Sequence, residues 1–161
     1  MEAEESVRRG RYPAACASYR TLADSYGSTG AYSTAANFYE KLLQTCEAAH
    51  DIVGAAEAHG LLGNVHTSEG DLAMAIARHE QQVATATFAG PDGVDQKRSG
   101  QRSLVVAYSA QADAYSNAGD AELAVSIYEK CLEAARQCGD VAGEGLTQHR
   151  LGITLAGLGA P

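Results

Sequence analysis

Small, bulky and polar residues recur along the chain in a fixed rhythm. With Gly30, Gly70, Gly119 and Gly159 as register marks, the intervals are 40, 49 and 40 residues. Before each Gly stands a similar stretch: Leu22-Ala23-Asp24-Ser25-Tyr26, Leu62-Gly63-Asn64-Val65-His66, Gln111-Ala112-Asp113-Ala114-Tyr115 and Leu151-Gly152-Ile153-Thr154-Leu155. After the first three come Ala35 with Tyr39, Ala75 with His79, and Ala124 with Tyr128. Each unit therefore predicts a helix of about 14 residues, a short turn and a second helix. The turn Gly is free to take positive φ and end the first helix. Asp71 and Asp120, next in line, predict N-caps for the second. Ala23, Gly63, Ala112 and Gly152 are predicted at helix crossings, where a larger side chain would force the helices apart. The aromatic or imidazole four residues after each small residue of the second helix lies on the same face and covers the gap beside it. A further turn closes each unit at His50-Asp51, Gly90-Pro91-Asp92 and Gly139-Asp140.

The fold class this predicts is all-α, a helix–turn–helix solenoid of about three and a half helix pairs over residues 13–161. Residues 1–12 are a lead-in or the remnant of an earlier repeat, since Gly10-Arg11-Tyr12 with Ala15 and Tyr19 mimics the half-unit after a turn. The longer interval marks an extra inter-repeat segment at about 88–103. Its Gly-Pro-Asp-Gly run forms turns, and it reads as a surface loop, as helix extensions or as a contact element. Lys97, Arg98 and Arg102 make it the most basic short stretch of the chain.

These offsets resemble the tetratricopeptide repeat (TPR). The Trp expected early in the first helix is replaced by Tyr19, His59, Tyr108 and Gln148, and the interval is 40 residues rather than the family's shorter one. Units of that length resemble those of the Leu-Gly-Asn-rich G-protein-signalling modulators and of kinesin light chains, best in Leu62-Gly63-Asn64 and His79-Glu80-Gln81. The resemblance implies a concave surface lined by the first helices. The side chains it places there are Arg20 and Asp24; Gly60, Asn64 and Thr67; Ser109, Asp113 and Ser116; and His149 with Ile153. Relatives that clamp a C-terminal carboxylate use Lys, Arg and Asn, and Asp24 and Asp113 would repel such a group. The expected partner is instead a protein or extended peptide whose backbone pairs with Asn64 and whose Lys or Arg meets Asp24 or Asp113.

Charge narrows the partners further. Twelve Lys plus Arg stand against 20 Asp plus Glu, a net charge of −8. That balance lacks the basic footprint that nucleic acid or an anionic membrane requires, and no apolar run approaches the ~18 residues of a membrane span. The acidic start, Met1-Glu2-Ala3-Glu4-Glu5, is unlike a secretory leader. Cys16, Cys46, Cys131 and Cys138 show no CxxC spacing, and Cys131 and Cys138 are too far apart along a helix to bond. They are expected to be reduced thiols acting as small hydrophobes. A cytoplasmic location follows, cytoskeletal or ciliary assemblies included.

Candidate chemistry is sparse. His59, His66 and His79 would offer three imidazoles to zinc, but all three replace tyrosines of neighbouring units and are expected to pack. No nucleophile–base motif, P-loop or dinucleotide fingerprint is present. The expectation is a non-catalytic scaffold or adaptor without metal or cofactor. The alternative is a structural subunit of a larger assembly that contacts neighbours through its ends and convex face. Leu151, Leu155 and Leu158 form one stripe of the last helix. The stripe either seals against the preceding unit or is partly exposed, with Ile153 and Leu158 as end contacts for self-association or a partner.

Overall fold

Left-handed residues punctuate the chain where the rhythm places its turns. Gly10, Gly30, Gly70, Gly90, Gly119 and Gly139 all have φ between 63° and 88°. His50 takes the same conformation at φ 56°, the one non-Gly residue among those described that does so. The computed structural model describes residues 2–159; Met1, Ala160 and Pro161, which fall within the segment bounds given above, lie outside the described residues.

Between the turns, the described residues form eight α-helices: α1 (Glu2–Arg8), α2 (Tyr12–Ser28), α3 (Tyr32–Ala48), α4 (Ile52–Glu69), α5 (Leu72–Phe88), α6 (Val94–Ala118), α7 (Ala121–Cys138) and α8 (Val141–Leu158). No strand occurs among the described residues. The helix–turn–helix class expected from the rhythm is therefore the one formed. Most helices run to 17 or 18 residues, about a turn longer than the pattern suggested. The extra interval contains little loop. Gly90–Gly93 forms one 3-10 turn, and α6 starts at once and extends over 25 residues.

The turns also differ in chemistry. Asp51, Asp71 and Asp140 each accept a bond from the backbone N–H three residues on, at 2.8, 3.1 and 2.9 Å. Asp120 occupies the N-cap of α7 but its side chain makes no cap bond, contrary to the expectation for it. Gly159 departs too, with a right-handed φ of −89°.

Packing divides the chain into two compact units, Met1–Lys97 and Arg98–Pro161. In the first, α2 packs on α3, α3 on α4 and α4 on α5, while the short α1 packs on α2. Its core is Ala15, Tyr19, Ala23, Ala35, Tyr39, Leu42, Leu43, Cys46, Ala55, Ala58, Leu62 and Val65. Leu42 and Leu62 are fully buried, each worth about 1.5–3 kcal/mol. In the second unit α7 packs on α8, and Ala112, Ala124 and Tyr128 form a core against which Tyr115, Ile127 and Leu151 lean.

The crossing positions are occupied as the pattern demands. Ala23 and Ala112 have no exposed surface. At Gly63 a Cβ would lie 2.5 Å from Cε1 of the buried His79 ring, so only Gly fits. Gly152 is the exception: it is exposed, and an added Cβ would meet nothing within 4 Å.

Candidate functional site

In the first unit Arg20 of α2 reaches across to α4. Its guanidinium grips Glu57 with two parallel bonds, Nη1 to Oε1 at 2.8 Å and Nη2 to Oε2 at 2.7 Å. This bidentate geometry fixes direction as well as charge, and the bond to Glu57 holds the Arg20 proton more tightly than usual. Asp24, one turn further along α2, accepts a bond from the Tyr39 hydroxyl. Burial first, and that bond second, push the Tyr39 phenol well above its usual range. At the matching position of α4, Asn64 is exposed, and its side-chain amide makes no hydrogen bond among the described residues. Thr67 is exposed, but its hydroxyl donates back to the Gly63 carbonyl at 2.9 Å. Gly60 is buried rather than facing outward; a Cβ there would meet Gln82 at 2.7 Å.

The second unit repeats the scheme with different partners. The Tyr128 hydroxyl donates to Asp113 at 2.5 Å, and burial followed by that bond pushes its phenol up to about 12. Arg150 of α8 reaches back to α6, donating to Ser109 at 2.8 Å and pairing with Asp113. Asp113 is thus already neutralised within the chain. Ser116 is half-buried and His149 is exposed. Around these polar groups the first helices of this unit carry exposed apolar side chains: Val106 at 66%, Leu146 at 51% and Ile153 at 61%. Leu146 and Ile153 are two turns apart and share a face of α8. Leu151 packs inward, whereas Leu155 and Leu158 are exposed, so the stripe on α8 is partly buried and partly open.

The three histidines are dispersed in role. His79 is buried with Nδ1 3.3 Å from Gln82 Oε1. His66 faces Glu69 at 3.2 Å. His59 Nδ1 is buried without a hydrogen-bond partner. Burial holds the imidazoles of His59 and His79 below their ordinary range, helped at His59 by the nearby Arg78. Among the described residues no group of three or more His, Cys, Asp or Glu is placed to hold a metal ion. No helix among them is long and apolar enough to cross a membrane.

A hollow of about 810 Å³ opens beside α1, α2 and α3, lined by Tyr19, Leu22, Tyr26, Phe38 and Lys41 among others. Tyr26 and Phe38 stack there with centroids 5.6 Å apart.

The residues that sequence reasoning missed are the other halves of the ion pairs: Glu57, Arg150, and Glu40 with Arg78. Their signal was present. Opposite charges stand 37 residues apart in Arg20–Glu57, 37 in Asp113–Arg150 and 38 in Glu40–Arg78. Each interval is close to one repeat period, the spacing at which successive units place side chains together.

The tetratricopeptide-repeat family model matches residues 58–90 and 107–142. These matches support a tetratricopeptide-repeat family. The two segments make up a little under half of the chain, and each takes in the C-terminal part of a first helix and the whole of the second: α4 with α5, and α6 with α7. The pair α2–α3 lies outside the matched segments, yet its Ala23, Ala35 and Tyr39 are buried like Ala112, Ala124 and Tyr128. No curated protein matches the chain. Tetratricopeptide repeats mediate protein–protein interactions and are typically non-catalytic, which supports a scaffold or adaptor role.

Proposed function

We propose that the chain is a non-catalytic scaffold or adaptor that binds partner protein through the outward faces of the first helices within each unit. The observation that carries this reading is Asn64. It is an exposed amide with a free donor and acceptor, at a position where the equivalent side chains, Asp24 and Asp113, are engaged by tyrosines. An amide of this kind pairs with an extended backbone. Asp24, with no cation bonded to it, is the carboxylate available to a partner Lys or Arg, while Asp113 already has Arg150. In the second unit Val106, Leu146 and Ile153 offer apolar contact, with Ser109, Ser116 and His149 at its margin. The four free thiols suit the cytoplasm, with cytoskeletal and ciliary assemblies among the settings.

The test begins with capture of partners from native cells by the tagged chain and their identification by mass spectrometry. Asn64→Ala and Ile153→Glu are then compared with the parent by binding titration and thermal melting. Binding weakened about tenfold or more with an unchanged melting temperature is the expected result. Unaltered binding in both variants overturns the proposed surface.

A second reading, a subunit contacting its neighbours through the end of α8, rests on the exposure of Ile153, Leu155 and Leu158. Burying two such side chains would contribute about 3–6 kcal/mol before association costs. Under this reading the isolated chain self-associates at high concentration and Ile153→Glu with Leu158→Glu reduces it. Light scattering that shows a monomer in both cases removes the reading.

A further inference from the structure

Cys16 lies near the start of α2 and Cys46 near the end of α3, ends that the antiparallel hairpin brings together, and their Sγ atoms stand 3.7 Å apart. Both are free thiols; Cys46 is 2% exposed and Cys16 is half-buried. The other two cysteines are differently placed. Cys131 Sγ donates to the Val105 carbonyl at 3.3 Å and meets Thr147 Oγ1. Cys138 Sγ lies 3.5 Å from the Ala135 carbonyl of its own helix. Neither of these is bonded to another thiol. Close approach of α4 leaves Cys46 confined: a Cβ on Gly54 would sit 3.0 Å from its sulfur.

We propose that Cys16 and Cys46 form a modification site, a dithiol that takes oxidising equivalents from a hydroperoxide and closes into a reversible disulfide between α2 and α3. Sulfur atoms already 3.7 Å apart need approach only to the bonded distance of about 2.05 Å. Exposure assigns the order of events. The Cys16 thiolate attacks one peroxide oxygen, the O–O bond breaks, hydroxide leaves and Cys16 becomes a sulfenic acid. The Cys46 sulfur then attacks the Cys16 sulfur. The S–O bond breaks, and the oxygen leaves as water with the proton from Cys46. Two thiols and one hydrogen peroxide thus give one disulfide and two waters. Cys46 suits the second role, because burial and the contact with Cys16 push its thiol up to about 12 and a thiol so protonated is a poor first nucleophile. The product ties residues 30 apart and removes loop freedom from the unfolded chain.

The full chain is treated with a few equivalents of hydrogen peroxide, its remaining thiols are alkylated after unfolding, and it is digested without reduction. The expected product is a cross-linked peptide pair containing Cys16 and Cys46, lighter by two hydrogens, with Cys131 and Cys138 alkylated. The melting temperature should rise by about 5–10 °C and return on treatment with dithiothreitol. Cys16→Ser with Cys46→Ser should abolish the shift. Cys16 driven to the sulfinic acid while Cys46 remains alkylatable overturns the proposal, as does a cross-link that forms only in denaturant. The peptide result on the parent chain decides the matter even if the double variant fails to fold.

Discussion

The second repeat and its two neighbours solve the same packing problem with different residues. In the first and third, Ala23 and Ala112 at the crossing face a tyrosine of the second helix, and that tyrosine reaches across to Asp24 or Asp113. In the second, Gly63 faces His79, whose ring fills the space a Cβ would need. The separation is constant: Tyr39 follows Asp24 by 15 residues, Tyr128 follows Asp113 by 15, and His79 stands in the same relation to Asn64. Imidazole is shorter than phenol, and His79 bonds to Gln82 of its own helix instead. A change made for packing therefore decides which polar group is left open on the first helix. The repeats conserve filled volume, and the free amide of Asn64 is a by-product of how the second one fills it.

Four experiments test this difference between repeats. Gly63→Leu drives a side chain into the His79 ring and should cost about 3 kcal/mol in urea unfolding. Gly152→Leu, at the equivalent but open position, should be neutral or slightly stabilising, because Gly within a helix is unfavourable. Equal effects would mean that the crossing at Gly63 is looser than the geometry implies. Next in size, Tyr39→Phe and Tyr128→Phe should each lose about 1–2 kcal/mol by removing a bond to a carboxylate. The loss at Tyr128 should be the smaller, since Asp113 keeps Arg150. Stability unchanged in both would reduce the bridges to surface decoration.

A comparable gain is available at Ala31, which caps α3 with no side-chain bond. Ala31→Asp should copy the Asp71 cap and add about 1 kcal/mol, read as a higher denaturation midpoint. The smallest effect is pH dependence. The folded chain holds His59 and His79 below the ordinary 6.5. Between the folded and unfolded values the unfolded chain binds more protons, so stability is greatest above pH ~6.5 and falls as pH drops towards the folded values. His79→Gln should flatten the dependence in that window. A slope of the opposite sign would contradict burial of the neutral rings.

Helices, turns and crossing positions were legible because they depend on residue size at fixed intervals. Ala23, Gly63 and Ala112 announced their crossings, while Gly152, in the same register, stands open. The polar surface was harder to read. Which carboxylate is free depends on the reach of a side chain on another helix, as Arg150 for Asp113 and Glu57 for Arg20 demonstrate. Such bridges join neighbouring repeats, whereas periodicity describes each repeat by itself. The segment at about 88–103 was ambiguous for a further reason. Gly90-Pro91-Asp92-Gly93 signals a turn strongly, and the polar sequence after it conceals that helix α6 has already begun.

The side-chain bridges described here span short stretches of sequence; the longest, Arg150 to Ser109, closes 41 residues. Helices in the first unit pack chiefly on those that precede and follow them. Chains built from local contacts of this kind give up little entropy before each contact forms, and they fold quickly for their length. They can also fold in order of synthesis. Once α3 has emerged, α2 has its partner, and the Arg20–Glu57 bridge waits only for α4. Nascent chain in the first unit then needs no distant segment to satisfy it while synthesis continues.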